Sequence, residues 1–367
     1  MDFSGLRIGL VPFSKSRVHP FDLRNFIYYA RKRGIKFENA EPESEYDVVV
    51  LPPLADLSVW SRYPKGRAKL IFLCVDSYLA ASRFDIKEAF RGIAKYIGGE
   101  HKHLRLSYAG ALKDMCRRAD AVVCSTLEQQ KDILQYCSNV HIILESHFKV
   151  VREVKTDYAI GNRVNLVWEG RPENMHGLAQ IKGALRDLRR QYPIALHVIT
   201  DLVYKKYMNK IGTTSIVEEI QRIFGEDYHP YTVGGNNSLV YLYQWNLEML
   251  SRIVTGCDIA VIPLDMRDSF TNLTLPGKPE NKLLLFWRMG MPTITSSTPA
   301  YARAMEKCGL QLHCKDGAEW QEKLEKLIVD GEARREAGTR GKQCADSIYG
   351  EAQYLDQWDR LFQSVLH

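Results

Sequence analysis

The sequence predicts two α/β domains in tandem, each an open parallel sheet covered by helices. Two observations lead there. Short apolar runs alternate with helix-length stretches over the first 146 residues, and the same alternation starts afresh near residue 163. Runs that are apolar throughout, rather than at every second position, belong to strands buried on both faces, and such strands form parallel sheets. At 367 residues the chain is also long for one core, so two domains of ordinary size are expected.

The elements follow in order. "LRIGLVPF" (6–13) reads as a strand, "PFDLRNFIYYARKRG" (20–34) as a helix closed by Gly34, and "YDVVVLPP" (46–53) as a second strand. "AKLIFLCVDSYL" (68–79) is a third, followed by a helical region ending near Arg118. "ADAVVCST" (119–126), "LEQQKDILQYC" (127–137) and "NVHIILES" (139–146) give strand, helix and strand. Residues 148–161 lack a clear period and read as the linker. "RVNLVWEG" (163–170) opens the second set, with a helix over 177–193 and a strand over 194–201. A mostly helical stretch (202–225), a strand at 238–245 and a helix N-capped by Asn246 come next. Then come "DIAVIPLD" (258–265), a polar loop, an apolar helix in the 280s, "PTITSS" (292–297), a helix from Pro299 and "LQLHC" (310–314). The final thirty residues read as helix, with Leu355, Trp358, Phe362 and Val365 on one stripe.

Two open sheets of this kind describe a pair of Rossmann-like domains facing a cleft. The expected boundaries are 1–150, 162–345 and a terminal helix, 346–367, that crosses back to the first domain.

Composition narrows the function. Hydrophobic content of 45% with 26% charged residues is that of a soluble globular protein, and no run of ~20 apolar residues offers a membrane span. "MDFSGLRIGLVPF" reads as a first strand rather than a secretion signal. Eight scattered cysteines without a CxxC pair argue against zinc and for reduced thiols in the cytoplasm. The net charge of +6 lies wholly in residues 1–150, which hold 23 Lys and Arg against 17 Asp and Glu. Solvated helix faces account for that excess, or else a surface drawn to anionic lipid or an acidic acceptor. Nucleic acid is disfavoured, because the basic stretches lack interleaved aromatics. Neither domain offers GxGxxG after its first strand, which disfavours a dinucleotide-dependent dehydrogenase.

The chemistry concentrates in "GKPENKLLLFWRMGMPTITSSTPAY" (277–301). Lys278, Glu280, Asn281 and Lys282 crowd the mouth of an apolar helix with Pro279 in its first turn and Gly290 past its end. Cations are repelled by a helix N-terminus, so Lys278 and Lys282 make sense there if an anion lies between them and the amides. Ordinary capping with solvent-facing lysines is the alternative. In open parallel sheets ligands bind beyond the carboxyl ends of the strands, where "WEGRPENMHG", Asp201 and "LDMRDSFTNLTLPGKPENK" also gather.

This half of the chain resembles the donor-binding half of GT-B glycosyltransferases, of the group-1-like type that builds bacterial surface glycans. The pattern is a "DI-x-V-x-P" strand, a loop, "K-x-x-N-K-L", an apolar helix, "G-x-P" and a last strand, with "NLVWEGR" and a later "HG" similar to the family's first strand and loop. The resemblance is specific over about 163–305 and only architectural over 1–150. It implies a nucleoside-diphosphate sugar as co-substrate and a glycan or lipid-linked acceptor. Lys282 and Arg171 would neutralise the departing diphosphate, with Asn281 and nearby backbone amides holding the phosphate and Gly170 among the donor-binding residues. His176 stands where the family often has lysine. The strand end at Tyr243–Trp245 would lie beside the nucleobase, and Glu280 would bind hydroxyls or cap its helix. Asp201 and Lys278 complete the donor set.

No DxD triplet is present, so metal independence is expected, with no cofactor beyond the co-substrate. A base for the acceptor hydroxyl would come from Asp76, His19, His101 or His103, and "VPFSKSRVHP" would be the acceptor-side loop. The paired glutamates of many retaining members are missing: Arg288 lies eight after Glu280, and alignment on Gly290 puts Gly277 and Leu285 at the two places. The stereochemical outcome is therefore left undetermined within a hexosyltransferase expectation. A sugar-nucleotide epimerase of the same architecture and a non-catalytic sugar-nucleotide binder are the alternatives. The expected location is the cytoplasm, including its membrane face.

Overall fold

The structure, a computed structural model, describes residues 3–14, 16–17, 19–75, 79, 102–103, 107–205, 213–225, 240–266 and 275–367. The chain divides into two compact units, one of Met1–Ser146, Asn272–Pro279 and Glu351–His367, the other of His147–Thr271 and Glu280–Gly350.

In the first unit the strands are β1 (Ile8–Leu10), β2 (Glu38–Asn39), β3 (Val48–Leu51), β4 (Lys69–Leu73), β5 (Ala121–Cys124) and β6 (Val140–Ile142). They pair in parallel in the order β2-β1-β3-β4-β5-β6, with Gly9 opposite Val49, Val50 opposite Ile71 and Phe72 opposite Val122. All four residues of β3 are fully buried. Successive side chains of a strand point to opposite faces, so both faces of this sheet are covered, as the unbroken apolar runs require. β2 has no apolar signature in the sequence because its two residues are exposed and polar. The helices are α1 (Pro20–Arg24), α2 (Phe26–Arg33), α3 (Leu57–Trp60), α4 (Tyr108–Arg118) and α5 (Leu127–Leu134).

The last helix belongs to this unit too. Its Trp358 stacks on Tyr29 of α2 with ring centroids 5.4 Å apart, and the Tyr29 hydroxyl donates to Asp359 Oδ1 at 2.8 Å. Lys32 pairs with Glu351 at 2.8 Å and Arg33 with Asp359. The basic run "YYARKRG" is thus partly neutralised by this helix. Arg118, from "DMCRRAD", is 7% exposed and closes the turn at 63–68 by donating to the carbonyls of Tyr63, Pro64 and Ala68. Part of the basic excess is therefore structural.

In the second unit the strands are β7 (Val164–Glu169), β8 (Ile194–Thr200), β9 (Val203–Lys205), β10 (Thr213–Ser215), β11 (Val240–Gln244), β12 (Ile259–Ile262), β13 (Thr293–Ser296) and β14 (His313–Cys314). Six of them form a parallel sheet in the order β11-β8-β7-β12-β13-β14. The order turns from one side of β7 to the other between β8 and β12. Loops leave in opposite directions at such a switch point and open a crevice beyond the strand ends.

The helices are α6 (Lys182–Leu188), α7 (Ile216–Phe224), α8 (Leu250–Thr255), α9 (Asn281–Arg288), α10 (Pro299–Lys307), α11 (Gly317–Val329), α12 (Gly331–Ser347) and, in the first unit, α13 (Glu351–Leu366). Gly341 of α12 sits against α9: a Cβ there would come within 2.6 Å of the Trp287 ring.

Four expectations need correction. The helix expected over 177–193 is a 3-10 run, Pro172–Gln180, followed by the short α6. The helical stretch expected from 202 contains the antiparallel pair β9–β10 before α7, in keeping with the β-branched Thr213 and Thr214. Residues 148–161 are not a free linker. Lys155 N donates to Met289 O at 2.8 Å, its Nζ to Cys257 O at 2.8 Å, and the Tyr158 hydroxyl to Gly290 O at 2.9 Å. Their polar contacts, rather than an apolar period, fix them, so the hydrophobic pattern carries no sign of it. Finally, the thiols are not all reduced: Cys308 and Cys344 form a disulfide, bringing together positions 36 apart in sequence. No motif spacing marks that pair.

Candidate functional site

The second sheet's carboxyl end holds part of the polar material that the sequence singled out. At its centre is the mouth of α9. Leu283 to Arg288 are all buried, while Glu280, Asn281 and Lys282 are half-buried. Glu280 is the N-cap without a side-chain capping bond, so Pro279 precedes the helix rather than lying in its first turn. The first backbone N–H groups of a helix have no intrahelical acceptor and carry partial positive charge.

Lys282 reaches from this mouth to the end of β7. Its Nζ donates to the Glu169 carbonyl oxygen at 2.6 Å and to Glu169 Oε2 at 2.5 Å. Trp245 Nε1, from just past β11, donates to Glu169 Oε1 at 3.1 Å. One carboxylate thus ties together residues from β7, the end of β11 and α9. Sequence reasoning missed Glu169, which reads there only as the last residue of a strand. The available signal was an acidic side chain closing an otherwise apolar strand directly before Gly170 and Arg171.

The other predicted donor residues make contacts of their own, apart from this junction. Gly170 continues the strand ladder, its N–H donating to Ile199 O at 3.1 Å. Arg171 is exposed and pairs with Glu173 at 3.4 Å. His176, also exposed, lies 3.3 Å from the buried carboxylate of Glu219, which Arg222 holds from the same helix. Asp201 accepts from Gln244 Nε2 at 3.0 Å beyond β8. The Tyr243 hydroxyl is 2.9 Å from His197 Nδ1, whose Nε2 is 3.1 Å from Asn165 Oδ1. That ladder runs across the sheet face, and burial pushes the His197 imidazole down to about 4. Burial foremost, with the negative charge of Glu280 added, raises the hydroxyls of Tyr301 and Tyr349 above the ordinary tyrosine range.

Lys278 follows the segment Leu275–Gly277, whose Gly277 carbonyl accepts from Gln129 Nε2 of α5 at 2.9 Å, and it groups with the first unit while Glu280 to Lys282 group with the second. The basic cluster of the sequence is therefore divided between the two units.

Gly177 passes close to the backbone that follows β12. A Cβ there would lie 2.2 Å from the carbonyl oxygen of Pro263, which follows β12. Backbone cannot yield as a flexible side chain can, so this close pass needs glycine. Gly177→Ala is expected to destabilise the second unit by about 3 kcal/mol, seen as a calorimetric transition several degrees lower. An unchanged transition would show that the 3-10 run shifts freely.

Of the candidate bases, His19 accepts from Phe21 N through Nδ1 at 3.2 Å and stacks on Phe13 at 3.9 Å. Asp22 accepts from the Phe13 and Ser14 amides and fixes the same loop after β1. His103 is exposed, with its N–H on Ser58 Oγ at 3.0 Å. Asp76 and His101 lie outside the described residues.

With this geometry established, solved structures decide the architecture. TarM of S. aureus superposes with a TM-score of 0.58 at 12% identity, over 92% of this chain and 57% of its own. Sucrose-phosphate synthase from Thermosynechococcus elongatus gives 0.57 at 14%, over 92% and 75%. The E. coli trehalose-6-phosphate structure bound with UDP-2-fluoro glucose gives 0.51 at 14%, over 88% and 73%. The fold is that of the GT-B glycosyltransferases. This chain spans little more than half the length of TarM. No protein-family model matches the sequence, and no curated protein aligns with it. The strand order reverses beside β7 in the second sheet, and Lys282 pairs with Glu169 at the end of that strand. Among the described residues no helix is long and apolar enough to cross a membrane.

Proposed function

We propose that this chain is a glycosyltransferase that moves a sugar from a nucleoside-diphosphate sugar to a hydroxyl of a glycan or lipid-linked acceptor. The observation that carries the reading is the placement of Lys282. Its ammonium is held at the carboxyl end of β7 and at the mouth of a buried helix, with 27% of the side chain exposed. A fixed cation beside helix amides is suited to a phosphate that gains charge as the sugar departs. Stabilising such developing charge is usually the chief source of rate enhancement in transfer chemistry.

In this reading residues 162–345 take the donor and residues 1–150 the acceptor, with the terminal helix α13 packed in the same unit as the latter. Arg171 and Lys282 neutralise the diphosphate, Gly170 and Asn281 lie along it, and Trp245 and Tyr243 border the base. Asp201, His176, Lys278 and Glu280 complete the donor surroundings, and Asp76 is the proposed base. Because side-chain cations stabilise the leaving group, the reaction needs neither a metal nor a cofactor. The basic surplus of the N-terminal part supports contact with the anionic inner face of a membrane in building polysaccharide. TarM, whose structure was also solved in complex with UDP, supports the choice of nucleotide class.

A thermal-shift panel of nucleoside diphosphates tests the reading. A ligand at 100 times its dissociation constant stabilises the folded chain by about 2.7 kcal/mol. One of uridine or guanosine diphosphate is expected to raise the melting temperature by several degrees, and its release from the sugar donor is expected to require an acceptor. If no nucleoside diphosphate moves the transition, the donor assignment is wrong.

A further inference from the structure

A carboxylate stands where the proposed function calls for an unbalanced positive charge. Both oxygens of Glu169 are engaged, Oε2 by Lys282 Nζ at 2.5 Å and Oε1 by Trp245 Nε1 at 3.1 Å. The Glu169 side chain is 11% exposed and that of Lys282 27%, so the lysine side chain is the more open of the two. An ammonium has three N–H donors. Two of those on Lys282 point at Glu169.

We propose that Glu169 is a resident counter-anion. It is a positioning residue that fixes Lys282 and Trp245, and by neutralising the ammonium it holds the affinity for a nucleoside diphosphate below what the bare cation would give. The inference rests on the reading of Lys282 as the phosphate-binding cation. A diphosphate that reaches Lys282 comes within a few ångströms of a like charge. In the dielectric of a half-exposed site that repulsion corresponds to about a tenfold loss of affinity. When the product leaves, the lysine returns to its internal partner rather than to water, which favours release.

Calorimetric titration of the wild type and Glu169→Gln with uridine diphosphate, guanosine diphosphate and inorganic pyrophosphate, at two salt concentrations, tests this. Glutamine keeps the size and one of the two hydrogen bonds but removes the charge. The expected result is about tenfold tighter binding by the variant, with a steeper loss of affinity as salt rises. A role confined to packing gives equal or weaker binding, and that result overturns the proposal while leaving the donor reading intact. If pyrophosphate binds the variant more tightly but no nucleoside diphosphate binds either protein, the counter-anion stands and the donor reading falls. If nothing binds either protein, both fall. Should Glu169→Gln fail to fold, Glu169→Asp replaces it. The shorter side chain draws the charge back from the ammonium, and several-fold tighter binding is expected; no tightening there overturns the proposal.

Discussion

Lys282→Ala is expected to lower the rate of sugar transfer about a hundred- to a thousandfold, the usual consequence of removing one group that stabilises charge in a transition state. Charge on the diphosphate grows as the bond to the sugar breaks. On the proposed function the ammonium would interact more strongly with the transition state than with the bound donor, and kcat should fall further than the affinity for the donor. The substitution also takes from the Glu169 carboxylate its cationic partner and leaves it the Trp245 indole. Stranding a carboxylate that is 11% exposed costs about 1–3 kcal/mol, so the circular dichroism and melting curve of the variant are measured beside its activity. Lys282→Arg keeps the charge but cannot reproduce the geometry of a point cation, and an intermediate rate is expected. If Lys282→Ala transfers sugar at the wild-type kcat, the departing group is stabilised elsewhere and the site has been misplaced.

The sequence carried the architecture further than it carried the site. Buried parallel strands announce themselves, because each of β3, β5 and β12 is apolar at every position and buried at every position. An element that takes its order from polar contacts does not. Residues 148–161 are held by hydrogen bonds to Met289, Gly290 and Cys257, and the 3-10 run at 172–180 is shaped by a backbone approach at Gly177. Neither leaves a periodic trace. The crowding at the mouth of α9 was legible as composition. What composition could not tell was that Lys282 turns to the end of β7. Glu169 lies 113 positions from Lys282, and only the strand order brings the two together. The disulfide between Cys308 and Cys344 was illegible for the same reason.

The docking of α13 gives the largest expected effect on stability. Trp358 is fully buried. Its ring lies 5.4 Å from Tyr29 in a stacked arrangement, 6.0 Å from Phe26 and 6.4 Å from Phe362. Ion pairs surround this aromatic cluster, but Lys32 and Glu351 are 40% and 38% exposed, and pairs so placed contribute well under about 1 kcal/mol. The helix is therefore held by its rings. Trp358→Ala is expected to destabilise the first unit by about 3–5 kcal/mol, a large share of the roughly 5–15 kcal/mol that a domain typically has. Helices of this length are marginal in water on their own, so α13 should fray once the anchor is gone and become cleavable by protease before the rest of the unit. Trp358→Phe, which keeps a ring in the stack, should lose markedly less. Lys32→Met, which removes only the exposed charge, should change the calorimetric transition by little more than a degree. The opposite ranking, with the lysine variant unfolding first, would mean that charge rather than aromatic packing holds the terminal helix.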